Sequence, residues 1–141
     1  MQNDELIARL QAATGWDDDL DLALAEWAQD NNIPIPPPYY DGGPINYDPR
    51  LWLERHDWRP TASIDAALTL VPEGWHLATL GFIHPDFRQE TELDWRADIF
   101  GPVTWAEDDG FPEPQYEAAG GNAHTPALAI CIAALKARSR D

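Results

Sequence analysis

Apolar positions recur along the chain in two rhythms, and their alternation predicts helices at both ends and strands between. From Asp4 to Ala13, Leu6, Ile7 and Leu10 fall at helical spacing behind acidic residues, and Thr14-Gly15 ends the run. Asp17 to Gln29 repeats the pattern with Leu20, Leu24 and Trp27, Leu22 nearby, after an acidic first turn of Asp17, Asp18 and Asp19. Thr61 or Ser63 caps a short helix through Leu70, where Ile64, Ala67, Leu68 and Val71 keep the same period and Pro72-Glu73-Gly74 stops it. The rhythm then changes to two. Trp75 to Ile83 reads as a strand, with Trp75, Leu77, Thr79 and Gly81 on one side and His76, Ala78, Leu80 and Phe82 on the other. A second strand runs from Asp94 or Trp95 through Trp105, with a bulge or kink at Gly101-Pro102, and Glu107 to Gly110 forms a turn. A third, short strand around Gln115 to Ala119 completes an antiparallel meander.

The closing segment is the most legible. Thr125 offers an N-cap oxygen, and Pro126 suits the first helical position because its φ is already set and it has no N–H to lose. Leu128, Cys131, Ile132 and Leu135 recur every three or four residues, and Ala127, Ala129, Ala133, Ala134 and Ala137 add propensity, so one side is built for burial. Lys136, Arg138 and Arg140 crowd the last turn, where the helix dipole favours each cation by about 0.3–1 kcal/mol.

Between residues 31 and 50 neither rhythm survives. Pro34, Pro36, Pro37, Pro38, Pro44 and Pro49, with Gly42 and Gly43, exclude regular ladders and predict an extended, polyproline-like loop, either a flexible spacer or an arm docked by Tyr39, Tyr40 and Tyr47. The whole is an α+β fold in one domain, residues 1–141. N-terminal helices occupy 1–30 and the proline-rich loop 31–50. A core over 61–138 holds a three-stranded or slightly larger antiparallel sheet with helices packed around it.

Charge changes the picture more than composition does. At 141 residues with 44% hydrophobic positions and seven tryptophans the chain can bury a single core. Twenty-five acidic residues against nine basic leave a net charge of −16. Such a field repels nucleic acid and anionic membrane and attracts basic surfaces over about 8 Å at physiological salt, so neither direct nucleic-acid binding nor membrane association is expected. The single cysteine, Cys131, lies on the apolar stripe of the last helix and reads as an inert thiol. Met1 to Glu5 has no basic region leading into an apolar stretch, and the expected setting is the cytoplasm.

No constellation for chemistry emerges. His56, His76, His84 and His124 lack the i, i+4 spacing of a helical zinc site, and neither a metal nor another cofactor is expected. Asp17, Asp19 and Asp21 imitate a calcium loop, but Leu22 stands where glycine is required and Ala28 where glutamate is. Ser63 has no nucleophile elbow, Gly42-Gly43 and Gly120-Gly121 are too short to cradle phosphate, and no carboxylate pair is marked as catalytic, so the chain is not read as an enzyme. Pro37-Pro38-Tyr39-Tyr40 matches a proline-recognition pattern by chance in a prokaryotic setting.

Three segments together carry a likeness: Thr61-Ala-Ser-Ile-Asp-Ala-Ala-Leu68, the Pro72-Glu-Gly-Trp75 lead into a strand, and His124-Thr-Pro-Ala-Leu-Ala-Ile-Cys-Ile-Ala-Ala-Leu-Lys136. In these the chain resembles the phage ABA-sandwich proteins over about residues 61–138. The resemblance implies an antiparallel sheet with helices around it and an origin in a phage or prophage. It lends no catalytic residues.

Likeness and charge together predict a non-enzymatic accessory protein that inhibits a host defence or nucleic-acid-binding protein with a basic surface, in the manner of an anti-CRISPR or DNA mimic. The expected contacts are Asp17, Asp18, Asp19, Asp21, Glu26 and Asp30 in one cluster and Glu107, Asp108, Asp109, Glu113 and Glu117 in another, with Trp16, Trp27, Tyr39 and Tyr40 as aromatic anchors. An alternative is a sponge for a small nucleotide signal, in which Tyr47, Trp52 and Trp58 stack a base while Arg50, Arg55 and Arg59 neutralise phosphates. A further alternative is a virion or assembly component. The alanine-rich last helix and the apolar sheet also admit a homodimer.

Overall fold

The computed structural model describes residues 3–89, 92–108 and 110–139, with the side chains of 106–108 left aside. Five helices, α1 (Asn3–Ala12), α2 (Asp18–Asp30), α3 (Pro49–Arg55), α4 (Ile64–Leu68) and α5 (Pro126–Arg138), surround an antiparallel sheet of β1 (His76–Phe82), β2 (Trp95–Phe100) and β5 (Ala118–Ala123). Two further strands, β3 (Thr104–Asp108) and β4 (Phe111–Gln115), form a separate antiparallel ribbon. The class is α+β, as the two rhythms predict.

Helix α5 is the centre of the molecule. Thr125 Oγ1 accepts from the Leu128 amide at 3.2 Å, and Pro126 occupies the first turn. Every residue from Ala127 to Leu135 is buried, so the helix is covered on all sides rather than on the one apolar side its spacing suggests. The sheet lies against it through β5 and β2, α4 packs on it as well, and α1 contacts both α5 and β5. Alanines on the flanks make this embedding sterically feasible, and each fully buried Leu or Ile contributes about 1.5–3 kcal/mol. Arg138 does more than complement the dipole: its Nε donates to the Leu70 carbonyl at 2.7 Å, tying α5 to the end of α4. Arg140 lies outside the described residues.

Strand β5 reaches α5 through a glycine. A Cβ on Gly121 would stand 2.1 Å from the Ala129 carbonyl oxygen and 2.7 Å from the Ala133 amide nitrogen, so strand and helix touch backbone to backbone. Ala97 and Ile99 of β2 and Ala119 and Ala123 of β5 are the buried residues around that contact. On the opposite face Arg96 and Asp98 pair at 3.0 Å, and Thr79 donates to Asp98 at 3.0 Å.

Four expectations are corrected. Strict alternation along β1 fails: the register shifts between Leu77 and Thr79, and the extra residue flips parity so that Leu77 and Leu80 both pack on the core. The second strand stops at Phe100 instead of reaching Trp105, because the chain leaves the sheet at Gly101, whose missing side chain admits the Trp75 ring at 3.0 Å from an ideal Cβ. The third strand begins at Ala118 and runs through both glycines to Ala123, later than expected. The 31–50 segment is no spacer. Ile33, Ile35 and Ile45 are buried in it, Gln29 Nε2 donates to the Ile45 and Tyr47 carbonyls at 3.2 and 2.9 Å, and the Tyr39 and Tyr40 amides turn back onto the Pro36 carbonyl. Its last two residues start α3, which Asp48 caps through the Arg50 amide at 2.9 Å.

Candidate protein-interaction surface

Helix α2 carries most of the first acidic cluster, and the helix start itself consumes part of it. Asp17 is the N-cap, accepting from the Leu20 amide at 3.1 Å. Asp21 is buried and is not a surface contact. Its Oδ1 accepts from the Thr61 amide at 2.9 Å, while its Oδ2 has no partner within hydrogen-bond distance among the described residues. Burial raises its carboxyl above the ordinary value of 3.8, a rise only partly offset by hydrogen bonding from Thr61 and by the nearby Trp16 indole. Thr61 is accordingly buried between Asp17 and Asp21, and Ser63 caps α4 instead, accepting from Ala66 at 3.2 Å.

The remaining acids of α2 face outward. Asp19, Glu26 and Asp30 are exposed and fall seven and then four residues apart, which sets them on one side of the helix at rises of about 10 and 6 Å. Among the described residues none of the three forms an ion pair. Asp18 meets Arg59 at 3.7 Å, and the same guanidinium donates to Asp57 at 3.0 Å and lies 5.1 Å from the centre of the Trp16 ring. Trp16, 56% exposed, thus stands with Arg59 on the Asp18 side of the helix start and not on the stripe.

The other aromatic anchors do not stand as expected. Trp27 is buried and its Nε1 donates to Asn3 Oδ1 at 2.7 Å. Tyr39 and Tyr40 are half-buried against the core, Tyr40 with its edge on Trp52 at 5.4 Å and its hydroxyl on Asn46 at 2.8 Å.

Likewise, the nucleotide pocket is not assembled. Trp52 and Trp58 are fully buried and pack edge to face at 5.7 Å, offering no ring face to a base. Trp58 Nε1 donates to Thr69 Oγ1 at 2.8 Å, whereas Trp52 Nε1 has no partner. Tyr47 meets His56 at 3.2 Å with Arg55 5.9 Å above its ring. Arg50, Trp58 and Arg59 do line one cavity of about 310 Å³, but Asp18, Asp19, Asp21 and Glu54 line it too, and four carboxyl groups against two guanidiniums do not suit phosphate.

The second acidic cluster is carried by the β3–β4 ribbon. Glu113 and Glu117 are exposed, Glu107 and Asp108 belong to β3, and Asp109 lies outside the described residues. Helix α2 packs on α1 and α3, and the ribbon on none of these, so the two clusters sit on separate elements. What the sequence reasoning passed over is the apolar content of the ribbon. Trp105 is 66% and Phe111 73% exposed, with Val103 and Tyr116 about half exposed. The available signal is the Phe111-Pro-Glu-Pro-Gln115 alternation, an edge-strand composition that lies between the expected turn at Glu107–Gly110 and the expected third strand. Tyr116 stacks at 4.7 Å on Phe100, and the Gly101 amide donates to the Glu117 carbonyl at 2.8 Å, closing the ribbon's base.

Elsewhere, Arg88 pairs with Asp94 at 2.9 Å and donates to the Ile83 carbonyl, and His124 approaches the same Asp94 at 3.4 Å; these contacts knit the far end of the sheet. Among the described residues no group of three potential ligands could hold a metal, and no helix is long and apolar enough to cross a membrane. Comparison of the chain with protein-family models, with curated proteins and with solved structures finds no match.

Proposed function

We propose that the chain is a non-enzymatic accessory protein of phage or prophage origin that binds a basic surface of a host nucleic-acid-handling defence protein and blocks it. The observation that supports this most is the outer side of α2, where Asp19, Glu26 and Asp30 are exposed in line and, among the described residues, without ion-pair partners. Carboxylates placed to stabilise a fold would be matched internally, as Asp98 is by Arg96. Fixed, unmatched charge at intervals of about 6–10 Å instead complements a groove that holds phosphates.

The test is capture of the partner from a host with intact defence systems, followed by affinity measurement with the Asp19→Asn, Glu26→Gln, Asp30→Asn triple variant. Exposed pairs contribute about 0.2–1 kcal/mol each, so affinity should fall about 3- to 150-fold, and should also weaken as salt rises from about 50 to 300 mM. Undiminished capture by the triple variant would refute the role of α2.

A further inference from the structure

Among the described residues four strands, β1, β5, β3 and β4, are sheet edges, and three of them are protected. Strand β1 is interrupted by its register shift between Leu77 and Thr79, which bends that edge out of line. Strand β5 has α1 packed beside it and α5 beneath. Strand β4 carries Pro112 and Pro114, which have no N–H, opposite Glu107 and Trp105 respectively. In an antiparallel ladder alternate residues point their amides at the partner, so the β3–β4 hydrogen bonds are made through Thr104, Ala106, Asp108, Phe111, Glu113 and Gln115, and the prolines face outward. That outer edge has no donors to offer.

The same register leaves β3 open. Its Trp105 and Glu107 amides and carbonyls point away from β4, and among the described residues β3 pairs with no other strand. Exposed Trp105 stands beside these unpaired groups, with Val103 just before the strand. From Gly101 to Ala123 the chain holds five acidic residues and no lysine, arginine or histidine. Self-pairing would bring two such ribbons, and two molecules of charge −16, together. A strand bearing alternate cations meets no such repulsion.

We infer that the free edge of β3 accepts an extended basic segment of a partner protein by strand addition, main-chain hydrogen bonds at Trp105 and Glu107 supplying the register and the acidic ribbon selecting lysine or arginine side chains. This rests on the chain being a protein-binding module, but not on the α2 stripe.

A terminally blocked heptapeptide alternating lysine with valine is the probe, titrated into the full chain labelled with ¹⁵N. The expected result is shifts centred on the Trp105 and Glu107 amides, with their hydrogen exchange slowed at least about tenfold at saturation. The same peptide N-methylated on alternate amides should lose at least about tenfold in affinity, as should Glu107→Pro, which removes an outward donor without touching the ladder to β4. If Glu107→Pro fails to fold, the N-methylated peptide decides alone. The triple α2 variant should bind the probe within about twofold of the parent. Absence of shifts at β3 up to millimolar peptide overturns the inference, as does equal binding of the N-methylated peptide. Shifts confined to α2 also overturn it while leaving the α2 proposal standing. Concentration-dependent dimerisation through β3 in sedimentation overturns the choice of a basic occupant.

Discussion

Adding one methyl group at Gly121 should be among the most damaging small changes this fold can receive. The new Cβ would stand 2.1 Å from the Ala129 carbonyl oxygen, and ordinary contact needs about 3.4 Å, so α5 must retreat by about 1.3 Å. Both obstacles are backbone atoms, which no rotamer change can clear. Overpacking ordinarily costs about 1–3 kcal/mol. Here the retreat also opens space along a helix of 13 residues that is buried throughout its middle, and voids cost about 24 cal/mol per Å³. The two effects together give about 3–5 kcal/mol, a large share of the 5–15 kcal/mol that holds a typical domain together. Gly120→Ala is the control. Its Cβ would meet the Arg96 guanidinium at 2.5 Å and the Asp98 carboxylate at 3.1 Å, both side-chain tips that can turn aside rather than backbone, and the cost should stay below about 1 kcal/mol. Urea unfolding followed by tryptophan fluorescence and circular dichroism measures both, and the Gly121→Ala midpoint on heating should drop by about 10–15 °C. If the two variants lie within about 1 kcal/mol of each other, the backbone contact between β5 and α5 is not what packs the core.

Three further outcomes are expected. Asp21 has a raised folded pKa, so the stability it lends is fully present below its unfolded value of 3.8 and is lost as pH rises through the folded value; Asp21→Asn should therefore gain on the parent between about pH 4 and 7 in urea titrations, and a difference that stays flat would refute the assignment. Trp58→Phe should cost about 1 kcal/mol more than Trp52→Phe, because Trp58 Nε1 is bonded to Thr69 whereas Trp52 Nε1 has no partner to lose; equal costs in chemical denaturation would contradict this. Cys131 is fully buried, its thiol pushed upward by burial and donating to the Pro60 carbonyl at 3.4 Å, so a disulfide reagent should leave the native protein unmodified and label it fully in urea.

How far the sequence carried these conclusions depended on whether a residue's neighbours lay close in the chain. The α5 start was legible because Thr125, Pro126 and Leu128 interact within four residues. The same local code, an Asp48 cap followed by Pro49, announced α3 and was obscured by the prolines before it. Burial of Asp21 was not legible, since the group that holds it, the Thr61 amide, lies forty residues away. Nor was the exclusion of Trp52 and Trp58 from the surface, for arginines flanking them in sequence say nothing about which way the rings turn. In β1 a single inserted residue defeated the two-residue rhythm, and only pairing with β2 reveals where it sits. Of the candidate contacts, Asp19, Glu26 and Asp30 could be placed from helical phase, whereas Trp16 lies ahead of the helix and the apolar ribbon needed the break at Gly101 to be seen.

That break makes the ribbon a detachable part. Strands β2 and β5 complete their ladder without it, and one amide-to-carbonyl link from Gly101 to Glu117 already brings its two stems together. Residues 102–116 could therefore be lengthened, exchanged or discarded while α5 and its cradle stayed unchanged, leaving the outer surface free to drift on a frame that cannot.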